Sequence, residues 1–132
     1  MNKKVLIDTN LVLRLLLNDI PSQSRQAIKI FKQAENGTIT IVFSVMVVNE
    51  LVWILEKFYN LNRRKFVPEL KQLLMLKGVV VHEMKLSQLI EILSIFEHSK
   101  LDWVDLYLIS IAGANNYKLE TFDKQLMKLV IS

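Results

Sequence analysis

Cysteine is absent from the 132 residues of this chain, glycine occurs three times and proline twice. Without cysteine there is no disulfide framework and no thiolate metal site, and a reducing compartment suits the chain. So few glycines and prolines leave little room for linkers, and no internal repeat or low-complexity segment occurs. A single domain over residues 1–132 is therefore expected. Long apolar runs are missing as well. Lys3 and Lys4 could head a signal peptide, but Asp8 breaks the apolar run after three residues and Arg14 breaks it again. No uncharged stretch approaches the ~18 residues that span a bilayer. These absences point to a soluble cytoplasmic protein with no membrane partner.

Apolar residues make up 52% of the chain. A chain of this size buries roughly two thirds of its unfolded surface, so the apolar excess suggests either a generous core or a partner surface.

The pattern alternates strands with helices. Lys4 to Thr9 reads as a strand covered on both faces, and Asn10 as the cap of a short helix, Leu11 to Leu17. Ser22 or Ser24 opens a helix to about Glu35, ended by Asn36-Gly37. "TITIVFS" is a second strand, and Ser44 caps a helix from Val45 to about Tyr59. Asn62 caps the next, to about Leu76, with Pro68 marking either a kink or a start. Gly78 precedes a third strand, "VVVH". Helices follow at about Leu86 to Ser99 and Trp103 to Tyr117, then a fourth strand, "LETF", and a short helix from Asp123 to Leu129. This order predicts an α/β sandwich with a mainly parallel sheet. Right-handed crossovers would align the strands' C-terminal ends along one edge, where ligands bind in such folds.

Four acids stand in apolar surroundings: Asp8 after "VLI", Glu50 in "VMVVNELVWIL", Asp105 in "LDWVDLYLISIAGA" and Asp123 after Thr121-Phe122. Taken singly, each has a plain structural reading as a helix cap or a half-exposed helix residue. A buried unpaired carboxylate would neutralise or destabilise the fold, and no run of Lys or Arg stands beside any of the four. A hard divalent cation would account for all of them. Carboxylates without His or Cys suit Mg²⁺ or Mn²⁺ and not Zn²⁺. Thr9, Asn10 and Thr121 are placed to orient the acids from a second shell.

"LIDTNLVLRLL", "NELVWIL", "LDWVDLYLISIA" and "TFDKQL" fall in an order and spacing that resembles the PIN-domain ribonucleases, and within them the VapC toxins of bacterial toxin–antitoxin pairs. The resemblance spans essentially the whole chain. It implies a PIN-domain-like three-layer α/β/α sandwich and Mg²⁺-dependent hydrolysis of RNA that leaves 5′-phosphate and 3′-hydroxyl ends. Carried over residue by residue, the family's acids fall on Asp8, Glu50, Asp105 and Asp123, with Thr9, Asn10 and Thr121 at its accompanying Ser/Thr/Asn positions. Asp102 and Asp105 share one helix face. The family's acid precedes the apolar run, which favours Asp105 and leaves Asp102 as the helix N-cap. The chain closes on "KLVIS", shorter than relatives, so a final edge strand is expected to be short or absent. The resemblance also implies a VapB-like antitoxin and a homodimer, and the apolar excess of "NLVLRLLL" and of Val45 to Leu55 agrees with such interfaces.

Charge fits an RNA substrate. Setting the four acids aside leaves nine of 13 against 17 Lys and Arg, a balance of +8 outside the site. Arg63-Arg64-Lys65, Lys124 and Lys128 are candidate phosphate contacts. Three other readings compete. "DTN" lacks the Asp-x-Asp of haloacid-dehalogenase-type phosphatases. His82 and His98 could form a metal-free ribonuclease pair. A PIN-like module could bind RNA or protein without catalysis.

Overall fold

A computed structural model describes residues 2–130, with the side chain of Val130 outside that description. β2 (Ile39–Phe43) forms the middle of the sheet because its alternate residues Ile39, Ile41 and Phe43 are buried. Ile41 and Phe43 are fully enclosed, each stabilising the fold by roughly 1.5–3 kcal/mol. β1 (Lys3–Leu6) pairs with it in parallel, Lys3 opposite Ile39 and Leu6 opposite Val42. β3 (Val79–Val81) pairs in parallel on the other side, Phe43 opposite Val81. The sheet order is β1-β2-β3. Around it are α1 (Thr9–Leu17), α2 (Pro21–Glu35), α3 (Val45–Trp53), α4 (Arg63–Leu74), α5 (Leu86–Glu97), α6 (Trp103–Asn115) and α7 (Lys124–Val130). The architecture is a parallel α/β/α sandwich, as expected from the alternation of elements. No helix among the described residues is long and apolar enough to cross a membrane.

Several boundaries differ from the sequence expectation. "LETF" forms no strand; the described chain between α6 and α7 is irregular, and Phe122 is fully exposed. Four residues with two apolar side chains provide too little alternation to hold a register of their own. β1 is an edge strand among the described residues, and one of its faces is uncovered as well: Lys4 and Leu6 are exposed, Leu6 at 69%, and burial begins only with Ile7. Lys3 and Lys4 on this edge are the charges that commonly guard one. A closing edge strand after "KLV" would involve residues 131 and 132, which lie outside the described ones.

Helix starts also shift. α1 is capped by Asp8, whose Oδ1 accepts the Leu11 N–H at 3.0 Å, and not by Asn10, which lies inside the first turn. α2 begins at Pro21 and not at a serine, since proline's fixed φ suits the first helical position. Ser24 is instead buried and donates to the Arg14 carbonyl at 2.8 Å, tying α2 to α1. Asn62 caps α4 as expected, accepting from Arg64 N–H at 2.9 Å, and the helix runs on through Pro68. Gly78 has φ +87°, and a Cβ there would meet the Ala34 carbonyl oxygen at 2.4 Å, so only glycine fits where β3 begins.

Two polar anchors fix the helices that carry the site. α3 continues into a π-helical turn, Ile54–Phe58. From that turn Glu56 takes both Arg63 Nε and Nη2, the latter at 3.1 Å. Arg63 Nη1 donates to the carbonyls of Ser99 and Leu101 at 2.8 Å and of Phe96 at 3.3 Å. Its Cζ lies 3.8 Å from the Phe96 ring centroid. The second anchor is Glu83, beyond β3. Its carboxylate accepts from Ser44 Oγ at 2.6 Å and Val45 N–H at 2.8 Å, adding a charge at the N-terminus of α3. Burial pushes the Glu83 carboxyl up, but the hydrogen bonds from Ser44, Val45 and its own backbone, with His82 nearby, bring it below its usual range.

Arg63→Ala is expected to lower stability by roughly 2–4 kcal/mol, because it strips a partly buried carboxylate and three carbonyls of their donor. Arg63→Lys should recover less than half of that, since an ammonium cannot serve both sides at once. Urea unfolding would check both, and a loss under about 1 kcal/mol for Arg63→Ala would refute the anchor role. Glu83 has a folded pKa below its unfolded one, so its contribution is present above about pH 4 and fades as pH falls through the folded value. Glu83→Gln should cost roughly 0.5–1 kcal/mol at pH 7, the scale of an exposed cap. The gap to wild type should narrow as pH falls below about 4. A gap that is unchanged between pH 7 and pH 3 would contradict this linkage.

Candidate active site

The hydrogen-bond ladder runs past the strand ends: Ile7 N–H donates to Val42 O and His82 N–H to Phe43 O at 2.9 Å. This aligns Asp8, Ser44 and Glu83 along the C-terminal edge of the sheet. Beside that edge opens a cleft of about 870 Å³, bounded by the start of α1, by α3 with its π turn and by the N-terminus of α6. Thr9, Glu50, Trp53, Asp102 and Asp105 line it. α3 and its π turn present Met46, Glu50, Trp53 and Lys57 to this side because their spacing of three or four residues keeps them on one face, while Val48, Leu51 and Leu55 are buried on the other. α6 presents Asp102 and Asp105 from its first turn, held in place by Trp103, which packs edge-on against Phe96 at 5.7 Å.

Two of the four expected acids, Glu50 and Asp105, thus face one cleft. Asp8 immediately precedes Thr9 at the cleft's margin, and its Oδ1 is engaged in capping α1. Asp123 does not line the cleft; its Oδ1 accepts from Gln125 and Leu126 N–H at 2.8 and 3.1 Å and caps α7. Thr121 takes the Asp123 N–H on its Oγ1 at 3.1 Å. Thr9 is buried in the cleft wall, and Asn10 is exposed.

The expectation that these acids are buried does not hold. Asp8, Glu50 and Asp123 are exposed and Asp105 is half-buried. The apolar residues around them are partly exposed too: Met46 and Trp53 flank Glu50, and Val104 and Leu108 flank Asp105. An apolar run in sequence therefore does not here enclose the charge within it, and desolvation does not demand a partner.

Asp102 occupies the N-cap position of α6, but its side chain makes no cap bond and stands in the cleft beside Asp105. Arg63, expected on a phosphate, is engaged by Glu56 and three carbonyls; Arg64 and Lys65 are exposed. His82 and His98 are exposed and do not line the cleft. Sequence reading missed Trp53 and Lys57 as cleft residues, although the i, i+3 and i+7 spacing from Glu50 places them on its face. It also missed Glu83, whose role depends on strand pairing and left no local signal.

The cleft's acids offer oxygen donors without His or Cys, the donor chemistry of a hard divalent cation. Among the described residues, no three Asp, Glu, His or Cys side chains converge closely enough to enclose an ion directly. Mg²⁺ keeps several of its waters and binds through one or two carboxylates, so the donor set fits an ion held largely through water.

No curated protein and no solved structure gives a significant match to the chain. The family model described as PIN domain matches residues 5–130. PIN is a nuclease-type fold, and its members are commonly nucleases that act on nucleic acid and typically use divalent metal ions. With that match running from the first strand to the last helix, and with the parallel sheet and the acid-lined cleft at its C-terminal edge, the chain belongs to the PIN-domain family.

Proposed function

We propose that this chain is a Mg²⁺-dependent endoribonuclease, the toxin of a VapBC-type toxin–antitoxin pair, acting in the cytoplasm as one nuclease domain over residues 1–132. The observation that carries the reading is that Glu50 and Asp105 line one open cleft, with Asp8 at its margin, at the sheet edge where α/β folds bind ligands. Asp8, Glu50 and Asp105 would hold Mg²⁺, for which Mn²⁺ could substitute, and Asp123, whose Oδ1 caps α7, would serve a second ion or orient the attacking water through Oδ2. When bound, the cation lowers the pKa of a coordinated water and offsets charge on the scissile phosphate. Asp8 is fixed at the α1 N-terminus by its bond to Leu11 and keeps Oδ2 for the site. Glu50 comes from α3 and Asp105 from α6, so a phosphate served by both would lie between the two helices. Thr121 would orient Asp123 by accepting its N–H, and Thr9 and Asn10, in the first turn of α1 after Asp8, would orient the acids at that end.

A VapB-like antitoxin and a homodimer complete the proposal. Exposed Leu6, Phe58, Leu108 and Phe122 supply apolar surface for such contacts. An Arg or Lys from an antitoxin tail would compete with the cation in the cleft. The alternative reading, a PIN-like module that binds RNA or protein without catalysis, has two observations in its favour. The acids do not converge as a three-ligand set, and Asp123 has a sufficient role as a cap.

Incubating the purified chain with RNA in Mg²⁺ and in EDTA separates the two. Glu50→Gln and Asp105→Asn are expected to lower cleavage on the order of 100-fold or more, beyond what losing an outer-shell partner costs. Asp8→Asn should do the same while retaining the α1 cap, which Asn supports as well as Asp. Because Glu50 is exposed, Glu50→Gln should shift stability by under about 0.5 kcal/mol. Cleavage by Glu50→Gln at the wild-type rate, or cleavage that survives EDTA, would defeat the metal-site reading.

Asp102 and Asp105 are separated by a second comparison. Asp105→Ala should be inactive. Asp102→Ala removes no cap bond, so it should cost under about 0.5 kcal/mol and lower cleavage far less than Asp105→Ala does. A stable but inactive Asp102→Ala beside an active Asp105→Ala would transfer the ligand role to Asp102.

A further inference from the structure

The acid-lined cleft is continuous with a second one of about 520 Å³; Glu56, Lys57, Arg63 and Asp102 belong to both walls. The two differ in chemistry. The first carries Met46, Trp53 and Val104 together with the acids. The second is polar and includes Lys57, Asn62, Arg64, Ser99 and Lys100. Its acids are largely offset: Glu56 is taken by Arg63, and Glu97 lies 3.4 Å from Lys71. Lys57, Arg64 and Lys100 remain against Asp102, so the second cleft favours an anion. Lys57 reaches Glu56 only at 3.9 Å.

Trp53 lines the acid cleft, one turn before Lys57, which lines both. It is 62% exposed, one turn beyond Glu50 on the same face of α3 and four residues before Lys57. Trp103, the other tryptophan, is 4% exposed and packed on Phe96. A large aromatic left in water beside an acid cleft and a basic track offers a face on which a base can stack. Such stacking is open to an unstacked base and closed to one inside a duplex, where neighbouring pairs cover both faces; only the end pairs of a duplex keep one face free.

We propose that Trp53 is a stacking platform for an unpaired base of single-stranded RNA, and that Lys57, Arg64 and Lys100 in the second cleft guide the strand's phosphates toward Glu50 and Asp105. This deepens, and rests on, the reading of the first cleft as the cleavage site. Trp53 is a positioning residue for the substrate; it selects for single strands and takes no part in bond breaking.

Both tryptophans emit, so Trp53's share is the wild-type emission minus that of the Trp53→Phe chain, which keeps Trp103 alone. The chain is titrated in EDTA, and again in Ca²⁺, with an unstructured eight-nucleotide oligouridine and with a blunt RNA duplex of equal charge. The single strand should quench the exposed tryptophan. Trp53→Ala should weaken single-strand binding roughly 5- to 100-fold and leave duplex binding unchanged. Trp53→Phe should retain most of the affinity, and circular dichroism should match wild type for both variants. Lys100→Ala should flatten the salt dependence of single-strand binding by roughly 0.7 in log–log slope. Single-strand binding by Trp53→Ala that equals wild type, or an equal loss on duplex and single strand, overturns the proposal. A Trp53→Ala chain that binds RNA normally but no longer binds a protein partner overturns it too, assigning the indole to a protein interface. Quenching by the single strand in a chain that cleaves nothing with Mg²⁺ would remove the nuclease reading and leave the platform standing. Wild-type cleavage with an unchanged KM in Trp53→Ala would do the reverse.

Discussion

The guanidinium of Arg63 joins the π turn after α3 to the link between α5 and α6, and the cleft exists because those two pieces are held at a fixed separation. Glu56 brings the wall that carries Glu50 and Trp53. The carbonyls of Phe96, Ser99 and Leu101 bring the segment that leads into Asp102 and Asp105. Phe96 lies beneath the guanidinium and against Phe66 and Trp103, so the polar anchor rests on an aromatic cluster. A planar cation with five donors can serve a carboxylate on one edge and carbonyls on the other. The π turn places Glu56 within reach of Arg63, a use consistent with the frequency of such turns at functional sites.

The order of elements was legible because it depends on local chemistry. β2 alternates, Ser44 and Asn62 cap as their residue types suggest, and Gly78 fills a position that excludes any Cβ. What was not legible depends on distant partners. β1 reads as a doubly covered strand because "VLI" is continuous, yet among the described residues no helix covers the face that carries Lys4 and Leu6. Whether "LETF" pairs is decided by its neighbour, not by its own composition. The cap of α1 passed from Asn10 to Asp8 for a local reason that sequence could equally have shown, since both residue types cap well.

Of the four acids, the placement of Glu50 and Asp105 on one cleft was legible, and the surroundings of all four were misread. Glu50 and Asp105 were brought to one cleft, and their helical contexts made that placement readable. The inference that apolar neighbours imply burial failed because helices in a small domain expose part of their apolar surface. Around Asp105, Val104 and Leu108 are in water; around Glu50, Met46 and Trp53 are. The acids thus need no cation to be tolerated in the fold, and the case for metal rests on donor chemistry and family membership instead of on desolvation.

That distinction changes what the exposed apolar residues signify. If the acids were buried, the apolar side chains near them would be core. Since both are exposed together, the cleft walls combine carboxylates with an indole, a thioether and an isopropyl group in one solvent-facing surface. A monomeric surface gains nothing from leaving Trp53 in water, whereas a ligand that carries both charge and flat apolar faces would use both kinds of wall at once. Nucleic acid has that combination: phosphates for the cations beyond Asp102 and bases for the indole. The same fold constraint, Arg63 holding α6 against the π turn, then sets the distance between the place where a base would stack and the place where the acids stand.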